Sequence, residues 1–118
     1  MIKISILNNL TVIYNPEIDS FEDLKKHILM AYETDRNFFR KDPPLITITF
    51  VYNRLQINTI LHRNTKNWEV GYAYNHKKQI NQIAIFSPEV FETVSTHTKG
   101  DFIFVLTHEV AHIFTNNT

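Results

Sequence analysis

The chain has 118 residues, 43% of them hydrophobic and 13% aromatic, which is typical of one packed globular domain. Twelve basic residues balance twelve acidic ones, so the zero formal net charge gives no basic surface for nucleic acid. Cysteine is absent, which excludes disulfides, thiolate metal ligands and cysteine nucleophiles. Without a membrane-length apolar run or a signal-peptide pattern, we expect a cytoplasmic protein with no nucleic-acid or membrane partner.

A strand pair and a long helix are predicted at the start of the chain. Alternating isoleucines at positions 2, 4 and 6 precede Asn8-Asn9 and then Leu10–Tyr14, which predicts a β-hairpin. Asparagine tolerates the positive φ of tight turns, so we expect that conformation here. A capping-box pattern at Ser20–Asp23 and apolar residues at helical spacing then predict a helix that runs to about Phe38.

The remaining elements alternate between strand and helix patterns. In chain order they are a strand at Ile46–Tyr52, a short helix near Arg54–His62, strands at Trp68–Tyr74 and Gln79–Phe86 joined by a polar turn at 75–78, and a helix that starts near Thr98. The strand that ends at Phe86 is apolar on both faces, so we expect it to be central and buried. The predicted fold class is α+β, with a twisted mixed β-sheet packed on helices.

The last predicted helix carries the HExxH motif at His108–His112. Residues four apart on a helix share one face, so His108 and His112 can bind one metal ion together. Glu109 lies one position further round, where its carboxylate can take a proton from zinc-bound water. The motif therefore predicts a hydrolase with Zn²⁺ held by the two histidines and with Glu109 as the catalytic base.

The surroundings of the motif favour this interpretation. From Val105 to Phe114 all other residues are apolar or uncharged, which predicts a buried helix whose polar groups need a partner such as zinc. The alternative is a surface helix whose histidines happen to lie four apart. Asp101 is expected to cap the helix. Three phenylalanines are expected in the core: Phe102, Phe104 and Phe114. Four other histidines are expected not to bind metal: His27, His62, His76 and His97.

Together with the strands at Trp68–Tyr74 and Ile83–Pro88, the motif helix resembles the N-terminal subdomain of a zincin. More narrowly it is similar to the gluzincin metallopeptidases, including the small minigluzincins. The resemblance implies a zinc metalloendopeptidase in which the strand at Val70–Tyr74 forms the upper rim of the cleft. There a peptide or protein substrate would add as an extra strand. Carried over by position, the resemblance implies three substrate-binding residues: Tyr72, Ala73 and Tyr74.

The chain departs from this family after the motif. A gluzincin takes its third zinc ligand from a glutamate on a later helix, and the sequence ends at Thr118 without one. The metzincin extension is excluded because Thr115 and Thr118 stand where it needs glycine and histidine. Either residues 1–118 are an incomplete zincin-like domain, which we favour, or the third ligand comes from elsewhere. An uncovered motif helix would expose apolar surface, so we expect self-association.

Three hypotheses about function follow from the sequence. The leading one is a metallopeptidase that hydrolyses peptide bonds. The second keeps the zincin fold as a regulatory or binding module with restricted or no proteolysis. The third is a fragment or a degenerate relative in which His108 and His112 bind no metal stably.

Overall fold

Five strands form one mixed sheet in the computed structural model, which describes residues 1–42, 44–76 and 79–116. The strands are β1 (Ile2–Leu7), β2 (Leu10–Tyr14), β3 (Ile46–Val51), β4 (Gly71–His76) and β5 (Gln79–Phe86). Their spatial order is β1-β2-β3-β5-β4, with parallel pairing of β2, β3 and β5 and an antiparallel pair at each edge. The mixed sheet is confirmed, and β4 lies at its edge beside the interior strand β5.

Helices cover both faces of this sheet. The α-helices in the described residues are α1 (Phe21–Phe39), α2 (Arg54–Leu61), α3 (Phe91–Val94) and α4 (Phe102–Asn116). On one face, α1 packs against α4, and Phe50 of β3 lies 6.0 Å from Phe102 of α4 between ring centroids. On the other face, Arg54 of α2 lies 4.7 Å from the ring centroid of Phe86. The α+β class is therefore confirmed, with α4 and α1 on the same side of the sheet.

The core follows the predicted periodicity. On α1 the buried apolar residues recur at helical spacing: Leu24, Ile28, Ala31 and Tyr32. On β3 the buried residues Ile46, Ile48 and Phe50 alternate with half-buried threonines. The last four residues of β5, at 83–86, are each 0% exposed. That strand is interior and buried, as its apolar sequence predicts.

The predicted conformation of the first hairpin turn is wrong. Asn8 and Asn9 do join β1 to β2, but neither has a positive φ. The side-chain amide of Asn9 instead donates hydrogen bonds to the Tyr32 hydroxyl and to the carbonyl oxygen of Pro44. These long-range bonds hold the turn against α1, so tertiary contacts rather than local backbone preference explain the asparagine.

Helix capping also differs from the prediction at one of two sites. Ser20 is the N-cap residue of α1, but its side chain makes no capping hydrogen bond. A capping box forms at Thr98 and Asp101 just before α4, so the expected capping role of Asp101 is confirmed. The turn at Pro88–Val90 and the short helix α3 were not predicted, since three or four residues carry little periodicity.

Two further boundaries qualify the sequence prediction. β4 begins at Gly71 and not at Trp68, because the residues before it form a loop. Part of the predicted turn after β4, residues 77–78, lies outside the described residues.

No helix in the described part of the chain combines the length and the apolar character needed to cross a membrane.

A buried carboxylate lies between α1 and α4. Asp35 of α1 is 5% exposed and borders a groove between the two helices. Its Oδ2 atom is buried without a hydrogen-bond partner in the described chain. Burial raises the pKa of Asp35 from 3.8 to about 6. Compared with the unfolded chain, the folded state therefore favours the protonated form of Asp35. The ionised form, which predominates at pH 7, destabilises the fold.

We expect Asp35→Asn to stabilise the fold at pH 7 by about 1–3 kcal/mol, because the neutral amide removes the buried charge and each pKa unit between the folded and unfolded states is worth about 1.4 kcal/mol. The folded-state pKa is raised, so stability falls as pH rises from about 4 through 6, and the variant lacks this loss. Thermal unfolding at pH 7 and pH 4.5 measures the effect, and the gain should shrink at the lower pH. Glu33→Gln, at an exposed site on α1, is the control. An equal gain in both variants would contradict the account.

Candidate metal centre

The helix α4 brings the three polar residues of the motif together. His108 and His112 lie one turn apart on an exposed face, and their Nε2 atoms are 3.0 Å from each other. Glu109 is turned inward and is only 6% exposed. One ligand atom from each of the three residues lies within 4.8 Å of the others. The predicted helical arrangement of the motif is therefore present in the structure.

The prediction that α4 is buried nearly all round is wrong. Its core face carries three buried aliphatic residues: Leu106, Val110 and Ile113. The opposite side is open, because the sheet and α1 cover only part of the helix circumference, and both motif histidines lie there. Phe102 and Phe114 are buried as expected, but Phe104 is 73% exposed and does not belong to the core.

Glu109 is held from the side of the sheet. The backbone N–H of Ala73 on β4 donates a hydrogen bond to its carboxylate. Burial raises the pKa of Glu109 to about 7, and the bond from Ala73 opposes part of that rise. The Oε2 atom has no hydrogen-bond partner among the described residues. The carboxylate is thus oriented by β4 while one oxygen is left unsatisfied.

Gly71 allows β4 to come this close to α4. A Cβ atom at this position would lie 3.2 Å from Cγ1 of Ile85 and 3.4 Å from both Cγ of Glu109 and Cγ1 of Val105. Any larger side chain would have to push the strand and the helix apart. The glycine therefore suits the close packing of β4 against Ile85 and the motif helix.

Side chains along β4 point alternately to the two faces of the sheet, so the three predicted substrate contacts do not all face the motif helix. Gly71 and Ala73 face α4, so Tyr72 and Tyr74 project from the other face of the sheet. Tyr72 is nonetheless 38% exposed at the sheet edge and lines the cleft together with Ala73. Tyr74 is half-buried and is not among the described residues that line the cleft. The Tyr74 side chain is therefore separated from the motif, although Tyr74 belongs to the edge strand β4.

A cleft of about 550 Å³ lies between α4 and the edge of the sheet. The described residues that line it are Trp68, Glu69, Val70, Gly71, Tyr72, Ala73, Phe104, Val105, His108, Glu109 and His112. Sequence reasoning missed Phe104 and Glu69. A signal for Phe104 was present, because a residue four positions before His108 lies on the same helical face. No local signal marked Glu69, whose position depends on the loop before β4.

The other described histidines stay outside the cluster, as predicted. His97 lies with its Nε2 atom 3.1 Å from the carbonyl oxygen of Trp68. His27 lies within α1 with its ring centroid 5.4 Å from that of Phe102, and His62 terminates α2 in a left-handed conformation. The side chain of His76 lies outside the described part of the chain. Within that part, the three motif residues are the group that could hold a metal ion.

The spacing of the two imidazole nitrogens suits a metal ion such as zinc. Two imidazole nitrogens bound to tetrahedral zinc at about 2.0–2.1 Å lie about 3.3–3.4 Å apart. The separation of 3.0 Å between the Nε2 atoms of His108 and His112 is close to this value and also suits a hydrogen bond between the rings. A cation here would also offset the burial of the nearby Glu109 carboxylate.

Comparisons of the chain with protein-family models, with curated proteins and with solved structures give no match. The assignment of a function therefore depends on the geometry and chemistry of the residues themselves.

We expect Gly71→Val to destabilise the fold by about 1–3 kcal/mol, because the added methyl groups overpack the contact between β4 and α4. Chemical denaturation measures the change. The matched control is Gly100→Ala at the other glycine of the chain, where a Cβ would meet only Thr98 Oγ1 at 3.7 Å. This control should be neutral or slightly stabilising. Equal stability of Gly71→Val and the unaltered chain would show that β4 does not approach α4 as described.

Proposed function

We propose that this chain is a zinc-dependent peptidase that uses Glu109 as its base. The observation that carries the proposal is the cluster in the cleft: two imidazole nitrogens 3.0 Å apart beside a buried carboxylate oxygen that lacks a partner. An HExxH hydrolase needs this combination of a histidine pair and an adjacent carboxylate. The proposal includes a zincin-like, gluzincin-type identity, which the motif and the α+β arrangement support.

The two histidines form the binding element for the metal in this proposal. His108 and His112 would offer their Nε2 atoms, which already point toward each other on the open face of α4. Zinc, when bound, supplies Lewis acidity that polarises a peptide carbonyl and makes water easier to deprotonate. Because the helix fixes both rings one turn apart, little reorganisation of the protein is needed to bind the ion.

Glu109 supplies proton transfer in the proposed reaction. Its carboxylate accepts a proton from the attacking water and later donates that proton to the nitrogen of the leaving amine. Ala73 holds the carboxylate through its backbone N–H, so the orientation of the base depends on β4. The Oε2 atom is the oxygen free to exchange the proton, since it has no partner in the described chain.

The edge of the sheet would bind the peptide substrate. β4 pairs with β5 on one side only, so its outer edge offers main-chain groups for an extended peptide to bind as an added strand. The main chains of Tyr72 and Tyr74 turn toward β5, because the pairing alternates in phase with the bond from the Phe86 N–H to the Val70 carbonyl. Of the three proposed contacts, Ala73 therefore offers its carbonyl oxygen at the outer edge, since its N–H is bonded to Glu109. Tyr72 and Tyr74 flank this contact in the same strand. A peptide bound along β4 would lie beside Glu109, because Ala73 of β4 is hydrogen-bonded to the Glu109 carboxylate.

We expect Glu109→Gln to keep zinc binding and to lower peptide hydrolysis at least about a hundredfold. The amide has the shape of the carboxylate but cannot accept the proton, and general acid–base catalysis contributes about 10²–10⁴-fold. An internally quenched peptide in the presence of zinc measures turnover, and calorimetry measures zinc binding. Glu92→Gln, at an exposed glutamate of α3, should leave both unchanged. Undiminished hydrolysis by Glu109→Gln would rule out this mechanism.

A further inference from the structure

Exposed aromatic side chains are concentrated at the cleft. Four large aromatic residues in the described chain are exposed, and three of them line the cleft: Trp68 (59%), Tyr72 (38%) and Phe104 (73%). The Tyr72 ring projects from the other face of the sheet, where it stacks 4.7 Å from the Arg63 guanidinium, so Trp68 and Phe104 supply the aromatic surface beside α4. The fourth, Phe38, lies elsewhere on α1. Aromatic surface collected in one place typically marks a binding site, because exposing it to water is unfavourable.

Phe104 is placed relative to the motif by helix geometry. It precedes His108 by four residues, so the two side chains lie one above the other on the open face of α4. The other phenylalanines of α4, Phe102 and Phe114, are buried in the core. An apolar group bound against Phe104 would therefore lie one helical turn from the histidine pair.

The cleft offers little to a charged ligand side chain. Its described lining contains no lysine or arginine. Both of its carboxylates are buried: Glu69 is 7% exposed and pairs with Arg63 at 3.0 Å, and Glu109 faces β4. Arg63 borders the lining but is already paired with Glu69 and stacked on the Tyr72 ring. Away from the proposed metal, a charged side chain would therefore lose water without gaining a counter-charge from the lining residues, which is costly. An apolar side chain would gain contact with the rings of Trp68 and Phe104.

We infer that the cleft selects peptides with an aromatic or large aliphatic side chain beside the bond presented to the motif residues. Trp68 and Phe104 are then the specificity-determining residues. This inference rests on the proposed peptidase function for its chemistry, but the selection itself is a property of binding. It can therefore be measured with and without turnover.

The first arm of the test uses Trp68 as a probe, since it is the only tryptophan in the chain and it lines the cleft. The Glu109→Gln variant with zinc is titrated with a capped hexapeptide of glycine and alanine that carries one central phenylalanine, and with its serine counterpart. We expect a change in Trp68 emission and about tenfold tighter binding of the phenylalanine peptide. A second substitution in the Glu109→Gln variant tests the role of Phe104: Phe104→Ser should remove the preference for the phenylalanine peptide. The control Phe38→Ser, at an exposed phenylalanine of α1, should preserve it.

The second arm measures kcat/KM of the unaltered chain for the same two peptides, with the same tenfold preference expected. Glu109-dependent cleavage at equal kcat/KM for both peptides would overturn the inference and leave the peptidase proposal intact. A tenfold binding preference without cleavage of either peptide would support the inference and overturn the peptidase proposal.

Equal binding of the two peptides would overturn the inference directly. So would an effect of Phe104→Ser that light scattering traces entirely to a change of oligomeric state, because the aromatic cluster would then be a contact between copies of the chain.

Discussion

The close approach of β4 to α4 is the constraint on which the rest of the site depends. At Gly71 even a Cβ atom would be tight, 3.2 Å from Ile85 Cγ1 and 3.4 Å from Glu109 Cγ, and two residues later the N–H of Ala73 holds the Glu109 carboxylate. This contact decides which face of α4 turns toward the sheet. Adjacent helical residues lie about 100° apart, so His108 is turned away from the sheet and toward the cleft. The proposed base, Glu109, is thereby buried, and the proposed metal ligands, His108 and His112, are accessible.

Two buried carboxylates at this helix lack a hydrogen-bond partner, one on α4 itself and one on the neighbouring α1. Asp35 on α1 and Glu109 on α4 each have a buried oxygen without a hydrogen-bond partner in the described chain, and burial raises the pKa of both. Native proteins leave few buried polar atoms unpaired, and those that persist call for an explanation. For Glu109 the proposed explanation is proton transfer at the metal centre. For Asp35 the structure shows a destabilising group in the groove that α1 shares with α4.

Much of the fold could be predicted because its signals are local. The helical spacing along α1 and the apolar run at the end of β5 lie within single elements, and both elements form where the patterns predict. The bond from Ala73 to Glu109 depends on where α4 docks against the sheet, so no local pattern could reveal it. The separation of Tyr74 from the cleft depends on the register of β4 on β5. Phe104 was misassigned because hydrophobicity ordinarily indicates burial, which a binding surface overrides.

The measurement that tests the central claim most directly is the zinc content of the purified chain after equilibrium dialysis. The account predicts one zinc per chain, lost in His108→Ala and in His112→Ala, because the two imidazoles together form the binding element. His97→Ala is the matched control, since this histidine contacts the carbonyl of Trp68 outside the cluster, and it should retain the metal. Absence of zinc from the unaltered chain, or its retention in His108→Ala, would contradict the account.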